Sequence, residues 1–297
     1  MRVLKVLCLL LAAFLPPLSA AHGAGDPGPA AFPLEVVDAL GRPVRIAAPP
    51  RRIVSVAPSV TEILFALGLE GRIAGVGSSD DYPAGAASKP RVGGVVLDVE
   101  RILRLRPDLV VGVASLQGGQ LERLTAVRLP VLAVDAGTLP GVYAQIELLG
   151  RIAAVPAAAG RVVASMRARE QAVARAVAGR PARRTYIEFW SEPLMTAGGG
   201  TFVSDLITRA GGVNVFADVA GWPQVSEEAV IRRDPEVIVL TARQEPRVLA
   251  RRGWSAVAAV RAGRIGAVDG SLLTRPGPRI VEGLRALAAI IHPEAFR

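Results

Sequence analysis

Cysteine and histidine are nearly missing from this 297-residue chain, which has one cysteine, Cys8, and two histidines, His22 and His292. Cys8 sits in an apolar run, Val6 to Leu15, that follows Arg2 and Lys5 and precedes the small residues Ser19, Ala20 and Ala21. These three parts make a secretory signal peptide over 1–21, with cleavage expected after Ala21, and the run is too short for an ordinary membrane span. The exported chain then starts near His22 without cysteine, which excludes disulfides and thiol chemistry and points to a bacterial periplasm. Leu7 stands where a small residue would precede a lipid-modified cysteine, so Cys8 is not expected to carry a lipid. With histidine only near its two ends, the mature chain has no His or Cys cluster for a metal.

Catalytic patterns are equally scarce. No G-x-S-x-G occurs, and no Cys-His or Ser-His arrangement is in sight. Gly198, Gly199 and Gly200 lack the Lys and Ser/Thr that follow a phosphate loop, so a plain turn is expected. The carboxylates are scattered and form no recognisable acid and base pair. Lys and Arg outnumber Asp and Glu by 35 to 26, a net +9 that becomes +7 without Arg2 and Lys5. The arginines are spread along helices with little aromatic interleaving, so no nucleic-acid partner is expected.

What is present is a repeat. Glu100 to Val111 and Glu228 to Val239 share one register: a glutamate, aliphatics two and three residues later, an arginine at the fourth (Arg104, Arg232), a proline (Pro107, Pro235), a carboxylate and an aliphatic run. Each copy predicts a short amphipathic helix, a proline stop and a strand buried on both faces. Asp98 and Ser226 stand two residues ahead of the glutamates as N-caps, and Glu100 and Glu228 fall in the exposed first turn beside the positive end of the helix dipole. A helix feeding a buried parallel strand, repeated in two halves, predicts an α/β fold of two Rossmann-like lobes with parallel sheets.

Around the repeat, residues 22–50 comprise a flexible leader to Pro33 and a small hairpin of Leu34–Val37 and Val44–Ile46. The N-terminal lobe covers 51–138, with strands at Ile53 to Ala57, Arg72 to Val76 and Val131 to Val134. Ser59 and Glu62 suggest a capping box for a helix ending at Gly68, and a further helix is expected near Leu121 to Arg128. Residues 139–180 carry no strand signal. A helix over Gly141 to Val155 leads to a second that opens at Pro156 and spans about 23 residues, roughly 35 Å at 1.5 Å per residue, long enough to join the lobes rigidly. The C-terminal lobe, 181–297, restarts with a strand at Thr185 to Phe189, a helix at Phe202 to Ala210, a strand at Arg264 to Val268 and a last helix from Pro276 or Pro278 to about Ile291.

Ligands of open α/β sheets collect at the C-terminal ends of strands. Those loops are Pro58 to Ser59, Ser78 to Tyr82, Ala114 to Gln117, Trp190 to Met195 and Asp269 to Arg275. Two of the three tryptophans, Trp190 and Trp222, lie in loops of the second lobe, where they suit a large flat ligand or else cap the sheet edge. Arg275 could meet a carboxylate or phosphate.

Ala57-Pro58-Ser59-Val60-Thr61-Glu62, Ser79-Asp80-Asp81-Tyr82-Pro83, Val99-Glu100-Arg101-Ile102 with Arg106-Pro107-Asp108, and Trp222-Pro223-Gln224-Val225-Ser226 resemble the helical-backbone class of periplasmic substrate-binding proteins. Within that class they are most similar to the vitamin B12 (cobalamin) binders of ABC importers, and the likeness runs from about Arg51 to the C-terminus. The resemblance implies a monomer without resident metal or cofactor that carries cobalamin or a related corrinoid, and no enzyme. Trp222 would pack on the corrin, with Phe189 in a second aromatic segment, Arg275 a polar contact, and Ser59, Ser79 and Tyr82 in ligand-facing loops. Glu100 and Glu228 would meet arginines of a two-fold permease dimer. Ser79 and Val95 or Val96 stand where aromatics would be expected, and Trp190 is the candidate to compensate. Ferric siderophores would suit the basic charge with Arg275 or Arg243, whereas haem would need an iron ligand, for which Tyr82 is the only candidate. A periplasmic hydrolase or lyase would require a polar triad converging in the cleft.

Overall fold

The computed structural model describes residues 31–241 and 245–296; the signal peptide, most of the leader and Arg243 lie outside them. An antiparallel hairpin, β1 (Leu34–Val37) with β2 (Pro43–Ile46), precedes the first lobe. The Asp38 carboxylate fixes its turn by accepting from the backbone N–H of Leu40 and Arg42 at 3.0 and 2.9 Å and from the Arg42 guanidinium. The same side chain reaches the Ala133 N–H at 3.3 Å, so the hairpin is pinned to the lobe behind it.

In the first lobe β3 (Ile53–Ser55), α1 (Pro58–Ala66), β4 (Ile73–Gly75), α2 (Val99–Arg104), β5 (Leu109–Val113), α3 (Ala114–Ala126) and β6 (Val131–Val134) alternate. The strands are short aliphatic runs, and they form a parallel sheet in the order β4-β3-β5-β6. Then come α4 (Leu139–Ile152) and α5 (Pro156–Val177). In the second lobe β7 (Arg183–Glu188), a two-residue pair β8 (Trp190–Ser191) and β9 (Leu194–Met195), α6 (Phe202–Arg209), β10 (Gly212–Asn214), α7 (Glu227–Arg233), β11 (Val237–Leu240), α8 (Glu245–Leu249), α9 (Ala258–Arg261), β12 (Ile265–Ala267), α10 (Ser271–Thr274) and α11 (Ile280–Ile291) follow. Its sheet, β10-β7-β11-β12, is again parallel and repeats the first lobe's order strand for strand.

The two copies agree down to side chains. In each, the residue before the proline is a non-glycine in the left-handed region, Arg106 at φ 45° and Asp234 at φ 38°. The carboxylate after the proline accepts from the backbone ahead of the first strand: Asp108 from the Arg52 N–H at 2.9 Å, Glu236 from the Arg184 N–H at 2.9 Å. The arginine there answers by donating to the C-terminal carbonyls of the preceding helix, Arg52 to Leu105 at 2.6 Å and Arg184 to Arg233. Free carbonyls at a helix end and a guanidinium are a favourable pair. Each helix, strand end and proline is thus clasped in the same way.

The connector helix α5, 22 residues long, is no free strut. Its buried Ala159, Val163, Met166 and Val173 follow helical spacing and join one hydrophobic cluster that runs from Ile63 of α1 through Ile146 of α4 to Leu206 of α6 and Leu284 of α11. Shared burial with both lobes gives the helix its rigidity.

Several expectations need correction. Ser59 and Glu62 form no capping box: α1 starts at Pro58 with Ala57 as an N-cap that makes no side-chain bond, and both residues are buried. Ala114 to Gln117 is the first turn of α3 rather than a loop, because Gln117 is held by the Val56 and Gly94 carbonyls at 2.7 and 3.0 Å. The last helix starts at Ile280, beyond both prolines, and the loop ahead of it contains α10. The glycine run keeps the expected turn, at Gly200, while Gly198 and Gly199 serve backbone packing: they donate to the Gly221 and Val219 carbonyls at 2.8 and 2.7 Å, and a Cβ on either would overlap the 217–221 backbone. Their N–H groups are therefore spent and cradle no phosphate.

Candidate functional site

The C-terminal ends of both sheets open onto one cavity of about 580 Å³ between the lobes. Pro58 and Ser59 follow β3, Ser79 follows β4, Val113 ends β5, and Ala136 and Gly137 follow β6; across the gap stand Thr201, Phe202, Trp222, Thr274, Arg275 and Pro276. This is the place where parallel sheets gather ligands, since strand ends and helix starts converge there. A hollow of about 510 Å³ between the hairpin and α4 reaches only the end of β6, through Val134 and Asp135, and has no aromatic wall.

The second lobe supplies the flat wall. Trp222 is 47% exposed, and Phe189 meets its ring edge to face with centroids 5.0 Å apart. Such a contact holds the indole in one orientation while leaving its outer face free. The first lobe supplies aliphatic and small residues: Val113, Ala136 and Leu116, the last 65% exposed on the first turn of α3. The Asp135 carboxylate, at the cavity edge, takes the free Ser115 N–H at 2.8 Å and the Ala136 N–H at 3.0 Å, capping α3 from a neighbouring strand.

Arg275 is already engaged. Its guanidinium donates to the Asp81 carboxylate and lies 3.7 Å from Glu62, which ties the loop before α11 to the first lobe. Arg279 grips Glu62 with two bonds of 3.0 and 2.6 Å and stacks over the Tyr82 ring at 3.7 Å. Glu62 is buried between the two cations, and it is the centre of a polar bridge across one side of the cleft. The hydrogen bond from Arg275 holds the Asp81 carboxyl below its usual value. Burial pushes the neighbouring Asp80 carboxyl up, against the hydrogen bonds it accepts from the Thr61 hydroxyl at 2.5 Å and the Gly77 N–H at 3.1 Å.

Of the residues singled out in the sequence, Ser59, Ser79, Trp222 and Arg275 line the cavity and Phe189 backs Trp222. Tyr82 and Trp190 do not line it: Tyr82 faces Arg279, and Trp190, 63% exposed, donates to the Glu192 carbonyl at 3.0 Å. Val95 and Val96 form an exposed apolar rim beside Leu116. Glu100 and Glu228 are exposed on α2 and α7, away from the cavity, where the Asp98 and Ser226 side chains accept from Arg101 and Ala229 as N-caps. Glu228's carboxyl is held low by its own backbone N–H, by Ser226 and by Arg232. Sequence reasoning reached Leu116 only as part of the expected loop from Ala114 to Gln117, and it missed Phe202 and Glu62. Only Leu116 carried a signal, as a large apolar residue just past a strand end.

No group of three or more His, Cys, Asp or Glu able to hold a metal occurs among the described residues, and none of the described helices is long and apolar enough to cross a membrane. Residues 53–272 match the family model described as periplasmic binding protein. An ABC transporter substrate-binding lipoprotein of Bacillus subtilis is 33% identical over 90% of this chain and 88% of its own length. The crystal structure of the periplasmic vitamin B12 binding protein of Vibrio cholerae superposes with a TM-score of 0.77 at 28% identity, covering 84% of this chain and 99% of that one. The apo form of a periplasmic haem-binding protein from Roseiflexus gives a TM-score of 0.73 at 28% identity, covering 82% and 99%.

Proposed function

Because the chain belongs to the periplasmic binding protein family, whose members deliver ligands to ABC importers, we propose that it captures cobalamin or a related corrinoid between its lobes in the periplasm and passes it to a permease without catalysing a reaction. The carrying observation is the cavity lining, which sets a rigid indole face opposite aliphatic side chains and contains no His, Cys, Met or Tyr among the described residues. A corrin brings its own coordinated metal and needs broad contact on its faces, whereas haem is ordinarily held by a protein ligand to iron.

Trp222, steadied by Phe189, packs on the ring. Ser59, Ser79 and Arg275 meet polar substituents, and Tyr82 and Trp190 stand at the margins with Val95 and Val96. A ligand larger than the 580 Å³ cavity extends over that exposed apolar rim. Glu100 and Glu228, one per lobe, dock a monomer on the two-fold permease. An acidic ferric siderophore is the second reading, and it would have to compete with Asp81 and Glu62 for Arg275, the one cation among the described lining residues.

Absorbance titration of the purified protein with cyanocobalamin, haem and a ferric hydroxamate, each alone, tests the reading. Saturable cyanocobalamin binding is expected, weakened about 10- to 100-fold by Trp222→Ala, a typical cost for a central aromatic anchor. Saturation by haem or the siderophore with none by cyanocobalamin would overturn the choice of cargo.

A further inference from the structure

The repeat gives each docking glutamate a companion that the reading above leaves unused. Arg104 follows Glu100 by four residues on α2, and Arg232 follows Glu228 by four on α7. Residues four apart share one helix face, so each lobe shows an acid and a base side by side. All four side chains are exposed. Among the described residues neither arginine closes an ion pair within 4 Å, although spacing and order are the favourable ones for it; Arg232 acts on Glu228 only through its field. The other charge in this part of α7, Glu227, is drawn toward Arg251 at 3.7 Å, and the matching position of α2 is Val99. Once Glu227 is accounted for, and with Arg101 of α2, which is exposed where α7 has Ala229, set one residue from Glu100 and so off the shared face, the two lobes present the same doublet.

We infer that each lobe docks through this Glu/Arg doublet, Glu100 with Arg104 and Glu228 with Arg232, onto a permease surface that offers a cation and a carboxylate about one helical turn apart. The inference rests on the docking role of the glutamates and adds a specificity element to it. A bare anionic membrane would attract the arginines but repel the acid beside each, while a protein surface with the reversed doublet satisfies both. An anion opposite each arginine also excludes permeases that carry arginines alone, by leaving Arg104 and Arg232 facing like charge.

The test uses the mature protein, loaded with whichever of cyanocobalamin, haem or ferric hydroxamate saturates it in the titration above, and its cognate permease dimer in nanodiscs of uncharged phosphatidylcholine. Arg104→Ala with Arg232→Ala is expected to weaken association about tenfold and flatten its salt dependence, with cargo affinity unchanged. Arg104→Glu with Arg232→Glu is expected to weaken it further. Unchanged or tighter association of the arginine variants, while Glu100→Ala with Glu228→Ala weakens it, would overturn the doublet and leave glutamate docking standing. No effect of the glutamate variants would instead remove the docking reading itself. An arginine effect that appears only on nanodiscs containing phosphatidylglycerol would assign the arginines to lipid and also overturn the inference.

Discussion

The two lobes have one hydrogen-bonding scaffold and two different interiors. Sheet order, the left-handed residue before the proline and the arginine–carboxylate clasp recur in both. Registers align Val54 and Val56 of the first lobe with Tyr186 and Glu188 of the second. Around Val54 the satellite core is wholly aliphatic, whereas Tyr186 meets Phe216 and Trp254 at centroid distances of 5.9 and 6.2 Å. Where Val56 is buried in that aliphatic core, Glu188 is buried under Arg251, which bonds it at 2.6 and 2.9 Å and lies over Trp254. Topology therefore follows from which positions are buried and how the backbone is clasped, and each interior is free to differ in chemistry. The cleft shows a parallel contrast built from other residues, with Val113, Leu116 and Ala136 of the first lobe facing Phe202 and Trp222 of the second.

The sharpest way to break this comparison is to give the second lobe the first lobe's residue. Glu188→Val removes the carboxylate that bonds Arg251, 11% exposed, and leaves it only the longer contact to Glu227 at 3.7 Å, so the cost is expected at the low end of the roughly 3–5 kcal/mol of a broken buried pair. Adding Arg251→Leu removes the stranded cation and is expected to restore stability to within about 1–2 kcal/mol of the unmodified protein. Urea unfolding measures both. A double variant as unstable as the single one would mean that the ion pair is required by this interior.

The next effect concerns the join. Glu62→Ala leaves Arg275 and Arg279 facing each other with only Asp81 between them, and it is expected to cost about 2–3 kcal/mol, less than a fully buried pair because Arg279 is partly exposed. Hydrogen exchange should rise in the 78–82 loop and ahead of α11 together. A rise confined to one of them would show that Glu62 serves its own lobe alone.

Much of this was legible beforehand. The aliphatic runs gave the strands, Pro156 and the periodic alanines and valines gave α5, and Asp98 and Ser226 stood where N-caps are needed. The sequence-local signals failed where the partner is distant. Ser59 with Glu62 has the spacing of a capping box, yet Glu62 bonds Arg279, 217 residues away. β10 was invisible because Gly212, Val213 and Asn214 make no apolar run; it is a strand through pairing with β7. Leu116, expected within a ligand-facing loop from Ala114 to Gln117, became a cavity wall on the first turn of α3 because Gln117, its neighbour, took the inward-facing position. Arg275 was legible as a polar loop residue, but its engagement by Asp81 and Glu62 was not.

The repeated clasp predicts equal, smaller effects. Arg52→Ala and Arg184→Ala each remove a charged donor from a helix end, at a cost of about 1–2 kcal/mol. Asp98→Ala and Ser226→Ala each remove an N-cap, at about 1 kcal/mol. Matched losses in the two lobes by denaturant midpoint would sharpen the equivalence. A cost in one copy only would show that the shared geometry carries weight in a single lobe.

The smallest effect lies where the lobes touch. Arg275 lowers the Asp81 carboxyl below its value of 3.8 in the unfolded chain, so folding binds fewer protons there. The stabilisation is complete above pH 3.8 and is lost as the pH falls through the depressed folded value. Asp81 is 73% exposed, and screening by water and salt limits the contribution to less than about 1 kcal/mol. The stability gap between the unmodified protein and Asp81→Asn should accordingly be constant from pH 7 to 5 and shrink progressively as the pH falls below 3.8. It should also shrink in high salt at neutral pH, because an exposed pair is screened. A gap that does not begin to shrink below pH 3.8 would mean that Asp81 acts through backbone geometry in its loop, and the electrostatic part of the bridge would then rest on Glu62 alone.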